Sequence, residues 1–249
     1  MGKGARLEKP TVRELSRFSP QTYVKLIKYL DQSYKIAPFC DMPKEDVPYV
    51  VLRHDVDVSL FPALKMAKVE HEMGVKSTYF ILVSSMHYNS FEGRNASMIK
   101  EISSLGHEVG LHYDSEQYKR YSQDAAQALR MEVHALESFL GKKVTSISCH
   151  APRGPNSFMR VKGYIDADNP RLREVYVHDS QRMWTVKSLD VLLNKHPKRV
   201  QLLLHPNLWE GKIARRTKLD NLLLDVSFSL YRVRTLATRL IHSRESVQN

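Results

Sequence analysis

The chain has 249 residues, of which 42% are hydrophobic and 26% are charged, and its formal net charge is +11. This length suits one α/β domain of barrel size, and the composition excludes a disordered or collagen-like chain. The two cysteines, Cys40 and Cys149, form no paired motif, and the charged first residues lack the apolar core of a signal peptide. We therefore expect a cytoplasmic protein with free thiols.

The predicted elements begin with a helix that Ser19 and Pro20 open and that runs to about residue 34. Three prolines in residues 35–48 then predict a loop. From residue 49, short apolar runs alternate with segments of helical spacing. The predicted strands are residues 49–56, 77–83, 107–113, 143–150, 173–180 and 199–205, and the predicted helices are residues 60–73, 95–105, 115–140 and about 188–194.

Strands that alternate with helices predict a mainly parallel sheet, because parallel neighbours need long crossovers. The number of strands favours a distorted (β/α) barrel over an open doubly wound sheet. We divide the chain into an N-terminal helical and loop extension (1–48), a catalytic domain (49–210) and a basic C-terminal helical extension packed on it (211–249).

Chemically reactive side chains follow the predicted strands at the point where each one ends. In such folds the carboxyl ends of parallel strands carry the active groups. We therefore expect these side chains to meet at one rim of the fold. They are Asp55 and Asp57, His112 and Asp114, His150, Asp179, and His205.

Asp55 and Asp57 are two residues apart, so on a strand they share one face. Two carboxylates so close repel each other unless a proton or a cation separates them, which favours a divalent metal ion. The alternative for Asp57 is a cap on the following helix. His112 is a candidate ligand, since imidazole suits zinc. His205 ends an apolar strand and suits a general acid, the alternative being a buried structural histidine.

Several of these segments resemble motifs of the polysaccharide deacetylase family, also called NodB-like or carbohydrate esterase family 4. The family motif T-F-D-D-G is similar to residues 53–57 (RHDVD), and G-H-E-[IV]-G-x-H is matched closely by residues 106–112 (GHEVGLH). Residues 150–154 (HAPRG) stand at the third motif, Asp179 with Trp184 at the fourth, and residues 203–205 (LLH) at the last.

The resemblance implies a distorted (β/α) barrel of the NodB type and hydrolysis of an acyl group, N-acetyl above all, on a sugar or glycan. It places the catalytic base on Asp55 and the acid on His205, with Asp57 and His112 as metal ligands. It implies zinc as the divalent ion. Variants of this kind resemble a branch associated with envelope or capsule polysaccharide biosynthesis.

Three departures from the family pattern affect the predicted site. The second metal histidine is replaced by Glu116, so the third ligand is either Glu116 or His150. The paired aspartates are separated by Val56, and His150 stands where the family has an arginine. The remaining site predictions are contacts to substrate or to the ligands, and they fall on Asp114, Arg153, Asp179 and Trp209; the alternative for Trp209 is packing beside Pro206.

Other functions stay open on the sequence alone. The chain could be an inactive deacetylase-like protein that binds carbohydrate, or a hydrolase of another carbon–nitrogen amide bond. The basic segment from residue 222 to residue 241 has the pattern of an amphipathic helix, which would suit a lipid-linked sugar and contact with a membrane surface; packing on the barrel is the alternative. The net charge alone does not predict a nucleic-acid partner, since no binding motif accompanies it.

Overall fold

The computed structural model describes residues 8–43, 47–122 and 124–210. The predicted C-terminal helical extension, residues 211–249, lies outside the described residues. No helix among the described residues is long and apolar enough to cross a membrane.

Eight parallel strands and seven α-helices are the regular elements of the described residues. In chain order they are α1 (Val12–Leu15), α2 (Pro20–Asp31), β1 (Lys35–Ala37), β2 (Tyr49–Val56), α3 (Leu60–Glu72), β3 (Thr78–Leu82), α4 (Gly93–Ser104), β4 (Glu108–Tyr113), α5 (Ser115–Tyr121), α6 (Ala125–Leu140), β5 (Ser146–Cys149), β6 (Ile165–Asp166), β7 (Val175–His178), α7 (Val186–Lys195) and β8 (Arg199–Leu204).

The strands lie side by side in the order β6-β5-β4-β3-β2-β8-β7, and β1 pairs with the start of β2. All the pairings are parallel, and the curled sheet with its helices is the distorted barrel that the sequence predicts. Among the described residues, β6 and β7 are the two edges and do not pair with each other. The strand β2 pairs with three others, β1, β3 and β8, and the register sets Asp55 beside Phe80 and Phe80 beside Gly110.

The structure corrects the predicted elements in four places. Residues 35–48, predicted as loop, contain the strand β1, and the two-residue strand β6 was not predicted at all. The long helix predicted for residues 115–140 is two helices. It breaks because Ser122 is extended and the Asp124 side chain accepts a hydrogen bond from the Gln127 main chain, which starts a new helix. The cap of α4 is Glu92 and not the predicted Asn95.

The sheet has one face toward the helices and one toward the barrel interior. Alternate residues of β2 pack against the two sets of helices through large apolar clusters, with α3, α4 and α6 on one side and α1, α2 and α7 on the other. The interior face is more polar, and Phe39, Tyr49, Val51, Phe80 and Ala167 form a small apolar cluster there. Above that cluster, toward the carboxyl ends of the strands, β2 places Arg53 and Asp55.

The outward-facing neighbour of Asp55, His54, belongs to a buried polar network centred on Glu70 of α3. The Glu70 carboxylate accepts hydrogen bonds from His54 Nε2 (2.6 Å), Ser77 Oγ (2.6 Å), Tyr79 Oη (2.9 Å) and Tyr23 Oη. Burial raises the pKa of Glu70, but the charges and hydrogen bonds of its partners lower it to about 2. The network therefore joins α2, α3, β2 and β3 on the side of β2 that faces the helices.

Gly110 lies on the interior face of β4, where no side chain fits. A Cβ atom there would lie 2.6 Å from the Phe80 ring and 2.9 Å from the Ser146 carbonyl oxygen. We expect Gly110→Ala to lower the free energy of unfolding by about 1–3 kcal/mol, because the added methyl overpacks a rigid site. Denaturant titration would measure this change. Gly93→Ala is the control, since nothing lies within 4 Å of its Cβ position; equal stability of the two variants would contradict the prediction.

Candidate active site

Asp55, Asp57, His112 and His205 come together at the carboxyl ends of β2, β4 and β8. His112 Nε2 lies 3.2 Å from Asp57 Oδ1 and 3.5 Å from Asp55 Oδ2. His205 Nε2 lies 3.7 Å from Asp57 Oδ2. Since β2 is the neighbour of β8 and is one strand removed from β4, the topology brings together residues that are 150 positions apart in the chain.

Asp55 is held by Arg53, which is two residues earlier on the same strand and points to the same face. Arg53 donates from Nε and Nη2 to Asp55 Oδ1 (3.1 and 2.9 Å) and from Nη2 to Asp55 Oδ2 (2.7 Å). The guanidinium also donates to Asp168 Oδ1 (3.2 Å) and Ser148 Oγ, and it lies 4.9 Å from the centre of the Phe80 ring. Arg53 is only 1% exposed, so this network fixes the Asp55 carboxylate in one orientation.

His112 presents its Nε2 atom to the two aspartates because its other nitrogen is already used. His112 Nδ1 donates to the Ser148 carbonyl oxygen at 3.1 Å. In a neutral imidazole, Nε2 is then the unprotonated nitrogen, and its lone pair meets Asp57 Oδ1. Two lone pairs so close repel each other, so either a proton or a metal ion must lie between them.

The Asp57 side chain also has a feature expected of a metal ligand. Its Oδ1 atom is buried and has no hydrogen-bond partner among the described residues. Burial raises the pKa of Asp57, but the contact with His112 Nε2 and the charges of His112 and His205 lower it strongly. The carboxylate is therefore ionised, and its buried Oδ1 atom has no donor as long as His112 is neutral.

His205 is oriented by Asp179, the residue that follows β7. His205 Nδ1 donates to Asp179 Oδ1 at 2.6 Å, and the His205 main-chain N–H donates to both carboxylate oxygens at 3.1 Å. Trp209 Nε1 donates to Asp179 Oδ2 at 2.7 Å. Burial lowers the pKa of His205, but Asp179 and the two site aspartates raise it to about 9. His205 is thus a protonated side chain at neutral pH whose Nε2 faces the mouth of the site.

Carboxylates outnumber fixed cations at the mouth. Asp55 and Asp168 share the permanently charged Arg53, whereas Asp57 and Asp179 have imidazoles beside them. Burial lowers the pKa of His112, but Asp55 and Asp57 raise it, so this imidazole tends to take up the missing positive charge as a proton. For Asp55, burial raises the pKa and Arg53 and His112 lower it. The site is therefore one that a divalent cation would neutralise.

The other predicted residues take different positions. Glu116 lies in the first turn of α5 and accepts from Lys119 Nζ at 2.7 Å. Asp114 caps the same helix, accepting from the main chain of Glu116 and Gln117. Arg153 is an exposed residue of the loop after β5. Of the two alternatives for Trp209, the structure shows packing, since Trp209 is 2% exposed and contacts Phe18, Tyr23 and Trp184.

His150 follows β5 directly, and its ring centre lies 5.3 Å from that of His112. Its Nδ1 atom is buried, lies 3.6 Å from Asp114 Oδ2, and has no hydrogen-bond partner among the described residues. Of the two predicted alternatives for a third ligand, His150 is therefore beside His112, and Glu116 is in an ion pair on the neighbouring helix.

Three residues of the site were missed by the sequence analysis. Arg53 carries a signal, since a charged residue inside an apolar strand, two positions before Asp55, must share its face. Asp168, which also accepts from the Cys149 main-chain N–H at 2.7 Å, comes from an irregular segment. His87 lies five residues beyond β3 and has no such positional signal.

The candidate donor atoms, Asp57 Oδ1 and His112 Nε2, match two of the ligand positions of a divalent metal ion. Two ligands at zinc bond lengths on a tetrahedral ion are about 3.3 Å apart, and Asp57 Oδ1 and His112 Nε2 are 3.2 Å apart. Their chemistry, one carboxylate and one imidazole nitrogen, also suits zinc and similar ions. Among residues 8–43, 47–122 and 124–210, no group of three or more His, Cys, Asp or Glu side chains is arranged as a complete metal site.

Comparison with known proteins gives likenesses in structure. No protein-family model and no curated protein matches the chain. A family 4 carbohydrate esterase from Streptomyces lividans, solved in complex with acetate, is 14% identical with a TM-score of 0.44, over 64% of this chain and 79% of that chain. A family 4 esterase from Streptococcus mutans is 20% identical with a TM-score of 0.44, over 63% and 72%.

A third similar structure is a mutant, with restored enzymatic activity, of a family 4 pseudoenzyme from Bacillus anthracis. It is 16% identical with a TM-score of 0.44, over 66% of this chain but only 58% of that chain, a little over half its length. All three structures belong to carbohydrate esterase family 4, the family that the sequence motifs resemble. The chemistry of this chain is taken below from its own side chains.

Proposed function

We propose that this protein is a metal-dependent hydrolase that removes an acyl group, in the first place N-acetyl, from a sugar or glycan. The observation that carries the proposal is the meeting of Asp55, Asp57, His112 and His205 at one mouth, with the buried Asp57 Oδ1 unpartnered among the described residues and 3.2 Å from His112 Nε2. A base, an acid and two ligand atoms then surround one space, as hydrolysis of an amide requires.

Asp57 and His112 would hold the divalent ion, zinc in the first place. When bound, such an ion polarises a carbonyl group and acidifies water. The His112 Nδ1 hydrogen bond to the Ser148 carbonyl oxygen keeps the Nε2 lone pair aimed at Asp57, so this ligand is oriented before the ion arrives.

Asp55 takes the proton of the attacking water in this proposal. Its low pKa, which Arg53 maintains against burial, makes it an ionised and fixed base. The low pKa makes Asp55 a weak base toward free water, but an ion held by Asp57 and His112 would make that water more acidic. Arg53 then keeps the carboxylate in place while it gains the proton.

His205 gives a proton to the departing amine. Its pKa of about 9 keeps it protonated at neutral pH, and Asp179 stabilises the cationic form. The leaving amine needs that proton because an amide anion is a very poor leaving group. Both carboxylate oxygens of Asp179 accept hydrogen bonds from His205 and Trp209, which holds the His205 ring in place as in other Asp–His pairs.

A second candidate function is carbohydrate binding without turnover. It is favoured by the replacement of the second metal histidine with Glu116 and by the lack of three converged ligands among the described residues. Cleavage of a different carbon–nitrogen amide bond uses the same groups and differs only in substrate. A cytoplasmic enzyme acting on a lipid-linked sugar at the membrane surface is the form of the proposal that accounts for the basic residues 211–249.

The experiment uses the full chain, stripped of metal and reloaded separately with zinc, cobalt, nickel and manganese. Release of acetate and of free amine is measured on N-acetylated and O-acetylated oligosaccharides and on small acyl amides. We expect metal-dependent release that a chelator abolishes. Asp57→Asn should lose both the bound ion and the activity, whereas Asp31→Asn on the exposed end of α2 should keep both. A wild-type protein that binds no ion and releases no acyl group would contradict the proposal.

A further inference from the structure

We propose that the divalent ion is held by histidines from three adjacent strand ends, His87, His112 and His150, together with Asp57, and not by Glu116. This inference rests on the proposed function and names the donors of its ion. Asp57 follows β2, His87 lies in the loop after β3, His112 is on β4, and His150 follows β5. The four strands are neighbours in the order β5-β4-β3-β2, so their carboxyl ends deliver the four side chains side by side.

His150 is fixed next to His112 by its main chain. The His150 N–H donates to the Tyr113 carbonyl oxygen at 2.8 Å, which continues the pairing of β5 with β4. The following residue, Ala151, has a φ of +41°, a conformation that residues with a side chain rarely adopt. Backbone strain of this kind persists where surrounding structure imposes it, often at functional sites. Here it turns the chain sharply away immediately after His150.

The His150 side chain has a buried ring nitrogen that could bind a metal ion. Its Nδ1 atom is buried with no hydrogen-bond partner among the described residues, and its nearest carboxylate oxygen, Asp114 Oδ2, is 3.6 Å away. A buried imidazole nitrogen without a partner is costly. The same holds for Asp57 Oδ1, the unpartnered oxygen next to His112. One cation would serve both atoms.

His87 is held near Asp57 by the residues on each side of it. Ser85 Oγ donates to the Asp57 carbonyl oxygen at 2.9 Å, and Tyr88 Oη donates to the Val56 carbonyl oxygen at 2.6 Å. The His87 main-chain N–H itself donates to Ser85 Oγ at 3.1 Å. Burial lowers the pKa of His87, and the charges of Asp57 and His150 act on it in opposite directions, so the three side chains are within electrostatic reach.

Glu116 is engaged elsewhere. Its carboxylate pairs with Lys119 at 2.7 Å along the surface of α5, and its main-chain N–H is capped by Asp114. Ligation by Glu116 would have to break this ion pair. Asp57 and His112 are the arranged pair of donors, 3.2 Å apart, and no third donor converges on them among the described residues, so binding of the ion requires His87 and His150 to change rotamer toward that pair.

Three imidazoles and one carboxylate make a distinct kind of site. This donor set suits zinc, cobalt and nickel and disfavours magnesium and calcium, which prefer oxygen. It also leaves Asp55 in its pairing with Arg53, free of the ion and available to accept a proton. The fourth imidazole of the region, that of His205, keeps its bond to Asp179.

The test measures zinc affinity of the full chain by competition with a chromophoric chelator. His87→Ala and His150→Ala should each weaken binding by about 100-fold or more, beyond the 10- to 100-fold typical of a residue that only orients a ligand. Glu116→Gln, and His134→Ala on the exposed face of α6, should bind zinc as the wild type does. Substitution of cobalt gives a second readout, because loss of an imidazole ligand changes its visible absorption spectrum while the Glu116 variant leaves it unchanged.

The outcomes separate this inference from the function on which it rests. Unchanged affinity in either histidine variant, or a loss in Glu116→Gln, overturns the three-histidine site while leaving a metal-dependent hydrolase intact. A wild-type protein that binds none of the three ions overturns both. His87→Gln and His150→Gln, which keep a polar side chain, serve as second variants if an alanine variant does not fold, as judged by circular dichroism.

Discussion

Asp55→Asn is expected to lower kcat by about 100- to 10,000-fold on any substrate that the wild type deacylates, because the variant removes the base and keeps the shape of the site. Asparagine can still accept a hydrogen bond from Arg53, which retains Asp168 as a charged partner. The metal content should stay at the wild-type level, since the arranged donors are Asp57 and His112. Kinetics and elemental analysis of the same preparation measure both quantities.

The control for Asp55→Asn is a variant that disturbs the same ion pair from the other side. Arg53→Lys keeps the positive charge but cannot make the paired hydrogen bonds. We expect a smaller fall in kcat together with lower stability, because Asp55 stays ionised but is no longer fixed. If Asp55→Asn turned over substrate at the wild-type rate, Asp55 could not be the base.

Asp179→Asn is expected to move the alkaline limit of activity downward. The general acid must be protonated, so with a His205 pKa of about 9 the rate falls as the pH rises through about 9. Without the Asp179 charge, burial lowers the pKa of His205 unopposed by its main partner, and the fall should begin at least about one pH unit lower. Between about pH 8 and pH 9 the wild-type acid is then still largely protonated and the acid of the variant is not, so the two rates should differ most in that range.

The pH–rate profile of kcat distinguishes this role from a structural one. A variant that merely loosened the fold would lower the rate at every pH and leave the position of the limb unchanged. Trp209→Phe is the matched control, since it removes the other side-chain donor to Asp179 and leaves the Asp179–His205 pair intact. An alkaline limb that is identical in the wild type and in Asp179→Asn would exclude His205 as the acid.

The regular elements were predictable because their signals are local. Apolar runs with β-branched residues predicted β2, β3, β4 and β8, and Ser19 with Pro20 predicted the start of α2. The strands β1 and β6 were not predictable in the same way, since they have three and two residues and exist only through pairing with a neighbour. The break between α5 and α6 depends on whether Ser122 and Asp124 cap or continue a helix, and either is possible in isolation.

The site residues that directly follow strands were predictable, because active groups in such folds lie at the carboxyl ends of parallel strands. That rule located Asp55, Asp57, His112 and His205, and the structure brings all four together. It could not locate side chains that arrive on irregular segments, such as His87 and Asp168, since their positions depend on tertiary packing. It also could not show that Trp209 turns inward to Asp179, because an aromatic residue after a strand suits a core and a substrate surface equally well.

The short distance in sequence between Arg53 and Asp55 has a consequence for how the protein could change. Because the residue that fixes the Asp55 carboxylate lies on the same strand, the loop 151–164 does not hold that carboxylate. We therefore expect that this loop could be exchanged for the corresponding loop of a related protein without displacing Asp55, provided that the strand residues RHDVD stay unchanged.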